Sequence, residues 1–151
     1  MLVLGIANGG IMLARRLAAR LGIKRVGDLD ISFHRDDIGK HPIPKEFAVT
    51  LLPGDVNGAS VLLVDDVLYT GRTVKAALDE LFDHGRPATV ELAVLVDRGS
   101  RKLPVVANFA GTTISASDDE DVIVSLDEHP SRDRIDICPR KARTPRAAAL
   151  R

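Results

Sequence analysis

Four apolar residues, Val61-Leu62-Leu63-Val64, run directly into two adjacent carboxylates, Asp65-Asp66. A run that is apolar at every position predicts a strand buried on both faces, as in a parallel sheet. The residues that follow, Val67-Leu68-Tyr69-Thr70-Gly71-Arg72-Thr73, end in a short loop rich in small and hydroxyl side chains. Helical periodicity then starts at Val74 and continues to about His84, before Gly85. Carboxylates accept hydrogen bonds from hydroxyls, while loop N–H groups and a helix N-terminus hold a phosphate. The order strand, acid pair, loop, helix therefore predicts a site for a sugar phosphate.

The rest of the chain supplies the sheet. Residues 2–6 read as a strand, Asn8-Gly9-Gly10 as a turn, and the next residues through Leu21 as an amphipathic helix ended by Gly22. Leu29 to His34 alternates as a second strand. Residues 36–59 hold three prolines and three glycines. They read as a long functional loop, with a short strand near Phe47–Leu51. Val90–Val96 completes a strand–helix–strand unit, which calls for an α/β fold with parallel strands. Shorter β-like runs at Val105–Phe109, Val122–Leu126 and Ile135–Ile137 predict edge strands or a small appended β-rich region.

Composition bounds the function. The chain has 151 residues, 45% of them hydrophobic and 28% charged, with formal net charge 0. One domain over residues 1–138 can bury a proper core at that size. Arg140 to Arg151 carries five basic and no acidic residues, leaving sixteen basic against twenty-one acidic groups in residues 1–139, a net charge of −5. Residues 139–151 read as a basic, disordered tail. Cys138 is the only cysteine, so no intrachain disulfide forms and a reducing cytoplasm is the expected home. The apolar start lacks the basic flank of a signal peptide and the length of a membrane span.

Further residues fall at the carboxyl ends of expected strands, where ligands of open α/β sheets gather. These are Asn8, Gly9 and Gly10, then Arg35, Asp36 and Asp37 with Lys45 in the long loop, and Val96, Asp97 and Arg98 with Arg101 beyond. No P-loop lysine follows the glycine of the 69–73 loop, and the turn at residues 5–10 lacks the spacing of a dinucleotide fingerprint. The histidines show no metal-ligand spacing with cysteine or acids.

With these residues placed, the chain resembles the type I phosphoribosyltransferases, and more narrowly the pyrimidine operon attenuation protein/uracil phosphoribosyltransferase family. Segment 61–73 is similar to the signature for 5-phosphoribosyl-1-diphosphate. The narrower match rests on Asp30-Ile31-Ser32-Phe33-His34-Arg35-Asp36-Asp37, Gly85-Arg86-Pro87 and Leu92-Ala93-Val94-Leu95-Val96-Asp97-Arg98-Gly99.

The resemblance implies a twisted parallel sheet flanked by helices, with a β-rich hood and a flexible flap. It implies formation of UMP and pyrophosphate from uracil and the diphosphate with Mg²⁺, the metal held mainly by substrate rather than by protein. Asp65, Asp66 and Arg35 become the catalytic candidates. Asp65 and Asp66 take ribose hydroxyls, and Tyr69, Thr70, Gly71, Arg72 and Thr73 surround the 5-phosphate. Asn8, Gly9 and Gly10 face pyrophosphate, and Val96, Asp97 and Arg98 border the base. Asp36, Asp37 and Lys45 belong to the flap, and Arg101 is a possible contact to an mRNA leader. A homodimer or higher homo-oligomer is also implied.

The chain departs from the family at three places. Asn8-Gly9-Gly10 replaces the usual Thr-Arg-Gly, removing a cation that could contribute about 2–4 kcal/mol to transition-state stabilisation. A helical segment usual before the first strand is missing. Ser100, Val106 and Thr112 stand where the RNA-contacting patch is usually basic or donor-rich, so RNA affinity is expected to be weak.

Overall fold

Alternate residues of the central strand face opposite layers, and both layers are apolar. Val61 and Leu63 belong to one core cluster, while Leu62 and Val64 belong to the other. This is why the run shows no polar alternation. The computed structural model describes residues 1–34 and 49–141. Its elements are β1 (Leu2–Ile6), α1 (Gly9–Leu21), β2 (Val26–Leu29), β3 (Ser60–Leu68), α2 (Arg72–Asp83), β4 (Thr89–Asp97), β5 (Phe109–Thr113), β6 (Glu120–Ser125) and β7 (Arg134–Pro139). The first five strands form one sheet in the order β2-β1-β3-β4-β5, with every neighbouring pair parallel. Ala14 and Ala18 of α1 pack with Val3, Leu62 and Val64 on one face. Val74, Ala76, Ala77 and Leu81 of α2 pack with Leu4, Leu63 and Leu92 on the other.

Strand order turns about β1 and β3. The chain leaves β1 for β2 on one side and returns to β3 on the other. A crevice at such a reversal is the usual ligand position of an open parallel sheet. The β1–α1 and β3–α2 turns both open there. β6 and β7 pair antiparallel as a separate hairpin, the appended β-rich hood.

Several expected boundaries move. The second strand is Val26–Leu29 rather than Leu29 to His34. The Asp30 carboxylate accepts the Ser32 N–H at 3.0 Å and its hydroxyl at 2.5 Å, and this local turn outcompetes extension. Near the expected strand at 47–51, Leu51 makes one antiparallel bridge to Asp28, while residues 47 and 48 lie outside the described residues. The expected strand at 105–109 is replaced by Phe109–Thr113, an exposed edge whose sequence carries no apolar signal. Val105 and Ala107 instead pack against the core. The sixth and seventh strands appear where expected, and Cys138, a free thiol, lies in the last.

Of the expected tail, residues 142–151 lie outside the described residues. Pro139 closes β7, and Arg140 donates from Nε to Asp121 Oδ1 at 2.8 Å. Among the described residues no helix is long and apolar enough to cross a membrane.

Candidate active site

The acid pair does not end its strand. β3 continues through Leu68, with Val67 paired to Val96 and Leu68 to Asp97. Asp65 Oδ1 accepts the Asp66 N–H at 2.9 Å, and Asp66 Oδ1 accepts the Val67 N–H at 2.7 Å. Each carboxylate is thereby held by the next peptide. Asp65 is buried, whereas Asp66 is half-buried. Burial first and the charge of Asp66 second push the Asp65 carboxyl well above the usual carboxylate range, against the pull of the Asp66 N–H. The pair therefore divides into a buried acid held toward its neutral form and an accessible carboxylate.

That accessible carboxylate faces the other turn. A Cβ placed on Gly9 would lie 2.5 Å from Asp66 Cγ, and one on Gly10 would meet the Val64 carbonyl oxygen. Gly9 and Gly10 open α1, so only residues without side chains allow the helix to start this close to β3. Asn8 caps α1 without a side-chain hydrogen bond. The structure thus joins Asn8-Gly9-Gly10 to Asp65-Asp66, 55 and more residues apart in sequence.

Beyond Tyr69 the chain makes the second turn. Gly71 takes a left-handed conformation, φ +94°, and is the N-cap of α2, which starts at Arg72 rather than Val74. Thr70 Oγ1 accepts the Arg72 N–H at 3.2 Å, and Thr73 lies inside the first helical turn. Apart from that Thr70 contact no side chain caps α2, and no acid occupies its first turn. Its N–H groups and dipole therefore favour an anion.

This loop is braced from behind. The Thr70 carbonyl accepts N–H bonds from Lys102 at 2.9 Å and Leu103 at 3.0 Å. Arg101 donates to the Tyr69 carbonyl at 2.9 Å, the Val105 carbonyl at 2.9 Å and Asp97 Oδ2 at 2.6 Å. Its hydrogen bond to Asp97, outweighing partial burial, holds that carboxyl below the usual range. Arg101, expected at an RNA surface, is committed to intramolecular bonds that shore up the 69–73 loop. No local sequence signal announces this pairing, because Asp97 ends β4 and Arg101 lies in the loop beyond it, where the helical four-residue spacing does not apply.

The base-side residues divide similarly. Val96 is fully buried, so only its backbone can border a ligand. Arg98 is buried and donates to the carbonyls of Ser117 at 2.8 Å and Glu120 at 3.0 Å. Its guanidinium carbon stands 3.8 Å from the Tyr69 ring centroid, and Tyr69 Oη donates to Asp118 Oδ1 at 3.0 Å. Arg98, read from sequence as base-bordering, thus ties the 69–73 loop to the hood through its side chain. Arg35, Asp36, Asp37 and Lys45 lie outside the described residues.

A parallel sheet with an acid pair and two strand-to-helix turns at its switch point is the frame of a phosphoribosyltransferase. Residues 1–128 match the phosphoribosyl transferase domain model. Solved structures with this fold include a purine phosphoribosyltransferase from Pyrococcus horikoshii, at TM-score 0.56 and 26% identity over 76% of this chain and 70% of that one. A hypoxanthine phosphoribosyltransferase from Staphylococcus aureus gives 0.60 and 25% over 81% and 64%. Curated relatives stand much nearer in sequence. The bifunctional protein PyrR 1 of Lactiplantibacillus plantarum is 51% identical over 89% of this chain and 78% of its own length. The bifunctional protein PyrR of Streptomyces coelicolor is 50% identical over 88% and 72%. The chain belongs to the PyrR family of phosphoribosyltransferases.

Proposed function

We propose that this chain transfers ribose 5-phosphate from 5-phosphoribosyl-1-diphosphate to N1 of uracil, giving UMP and pyrophosphate. The observation that carries the reading is the meeting of the Asp66 carboxylate with the Gly9 turn, beside the start of α2. In this reading the 5-phosphate rests on the N–H groups of the 70–73 loop. Asp66 accepts hydrogen bonds from the ribose hydroxyls, and buried Asp65 stands behind it. The diphosphate leaves across Asn8-Gly9-Gly10, and the base lies along the backbone of residues 96–98. The bond from C1 to the pyrophosphate oxygen breaks, the bond from C1 to N1 forms, and the N1 proton is released.

The site's chemistry suits Mg²⁺. The half-buried Asp66 carboxylate, lying against the side-chain-free Gly9 turn, offers hard oxygen donors of the kind Mg²⁺ takes. Bound there chiefly by the diphosphate, Mg²⁺ supplies charge neutralisation for the leaving group. The protein's own work is alignment of the two reactants and stabilisation of positive charge at C1. Incubation with uracil, the diphosphate and Mg²⁺ should yield UMP and pyrophosphate in equal amounts. Absence of UMP from folded protein overturns the reading.

The relatives' name, bifunctional, favours a second activity in the same chain, UMP-responsive binding of a pyrimidine-gene leader transcript. The engagement of Arg101 and the −5 charge of residues 1–139 weigh against strong electrostatic affinity. Salt-dependent binding of that transcript, enhanced by UMP, supports this activity; its absence removes it.

A further inference from the structure

On the α2 face of the sheet, away from the acid pair, one imidazole is shared by two carboxylates. His34 Nε2 stands 3.2 Å from Glu80 Oε2 and 3.0 Å from Asp83 Oδ2. The three donor atoms all lie within 4.8 Å of one another. One Nε2 thus serves two carboxylate oxygens, and a single N–H is at best divided between them. A divalent ion in place of that proton serves all three donors. Donors at about 2.0–2.1 Å from a tetrahedral zinc stand about 3.3 Å apart, close to both measured separations.

The surroundings aim one of these donors. The other Glu80 oxygen, Oε1, accepts the Thr50 hydroxyl at 2.7 Å and lies 3.0 Å from His84 Nε2. These partners turn Oε2 toward His34, as outer partners of a ligating carboxylate do. Glu80 and Asp83 are three residues apart on α2 and so share one helix face. The side chains of His34 and Glu80 are 23% and 14% exposed, while that of Asp83 is 67% exposed. One side of the cluster is therefore open to an entering ion and to a water completing the shell.

We infer that His34, Glu80 and Asp83 form a binding site for a divalent transition-metal ion of the zinc class, separate from the ribose-phosphate site. An imidazole donor selects zinc, cobalt or nickel over magnesium. The site has a structural consequence. Glu80 holds His34 through one oxygen and Thr50 through the other, so the ion fixes to α2 the chain on both sides of residues 35–49.

Titration of the full chain with Co²⁺ and Zn²⁺ tests the site. One ion per chain is expected, with the visible d–d absorption of four-coordinate cobalt, displaced by Zn²⁺ and unaffected by excess Mg²⁺. His34→Asn and Asp83→Asn should each abolish that absorption. Thr50→Val should weaken binding about tenfold, within the range for outer partners. Asp79→Asn, on the same helix but paired with Lys75, should change nothing. Asp83 is largely exposed, so its variant keeps the test readable if His34→Asn folds poorly. No saturable binding, binding that survives both ligand variants, or equal displacement by Mg²⁺ overturns the site.

Discussion

Two strand-to-helix turns meet at the switch point, and they are built in opposite ways. The turn after β1 is filled by the protein itself, since Gly9 lies against the Asp66 carboxylate and Gly10 against the β3 backbone. It carries no basic side chain. The turn after β3 has a glycine at its N-cap, no acid in the first helical turn, and bracing from Arg101, Lys102 and Leu103. The first turn supplies no cation of its own to a group bound there. The second brings its own donors and dipole. This difference suits a substrate whose leaving diphosphate carries Mg²⁺ and whose 5-phosphate comes alone.

The comparison breaks most sharply at Asp66, which lies against the first turn and on the strand that leads into the second. Asp66→Ala should lower kcat/KM for the diphosphate about 10²–10³-fold, the usual cost of removing a group aimed at developing charge. Asp65→Asn should cost far less at neutral pH, because burial and the Asp66 charge already favour an uncharged side chain there. Steady-state kinetics on both variants measure the difference. Equal losses would mean that the two carboxylates act as one charged pair.

Position 9 comes next. A side chain there begins inside the Asp66 carboxylate, so Gly9→Ala should displace Asp66 and lower kcat/KM about tenfold. Gly9→Arg causes the same displacement but adds a cation beside the leaving group, worth about 2–4 kcal/mol. The arginine variant should therefore outperform the alanine variant by tens- to several-hundred-fold. Two equally weakened enzymes would show that the first turn needs its open space more than charge.

The same contrast explains what sequence could and could not reveal. The 61–73 segment is legible because its parts are contiguous and local physics dictates them: an apolar run for a doubly covered strand, and a glycine where φ is positive. The approach of Gly9 to Asp66 depends on β1 pairing beside β3, a long-range fact with no local trace. Arg98 reads as a base-bordering cation and Arg101 as an RNA contact because charge is visible in sequence, whereas the carbonyls that engage both are not. The second strand was misplaced for the opposite reason. Its alternating pattern is present over 29–34, but one Asp30 side chain satisfies the local backbone and stops extension. β5 was invisible because an exposed edge needs no apolar alternation.

The smallest effect distinguishes the two turns by pH. Asp97, behind the second turn, has its folded pKa lowered chiefly by Arg101. Its contribution is present above the unfolded value of about 3.9 and is lost as pH falls through the lower folded value. Asp65, behind the first turn, has its folded pKa raised by burial and by Asp66. Its contribution is present below about pH 3.9 and is lost as pH rises through the raised folded value. Arg101→Met should cost about 1.5–3 kcal/mol at neutral pH, the range for hydrogen bonds to a charged group, and the deficit should shrink below about pH 4. Asp65→Asn should do the reverse, gaining stability over the parent chain as pH rises. Denaturant midpoints across the pH range give both slopes, and slopes of the same sign would show that the two turns are not electrostatically distinct.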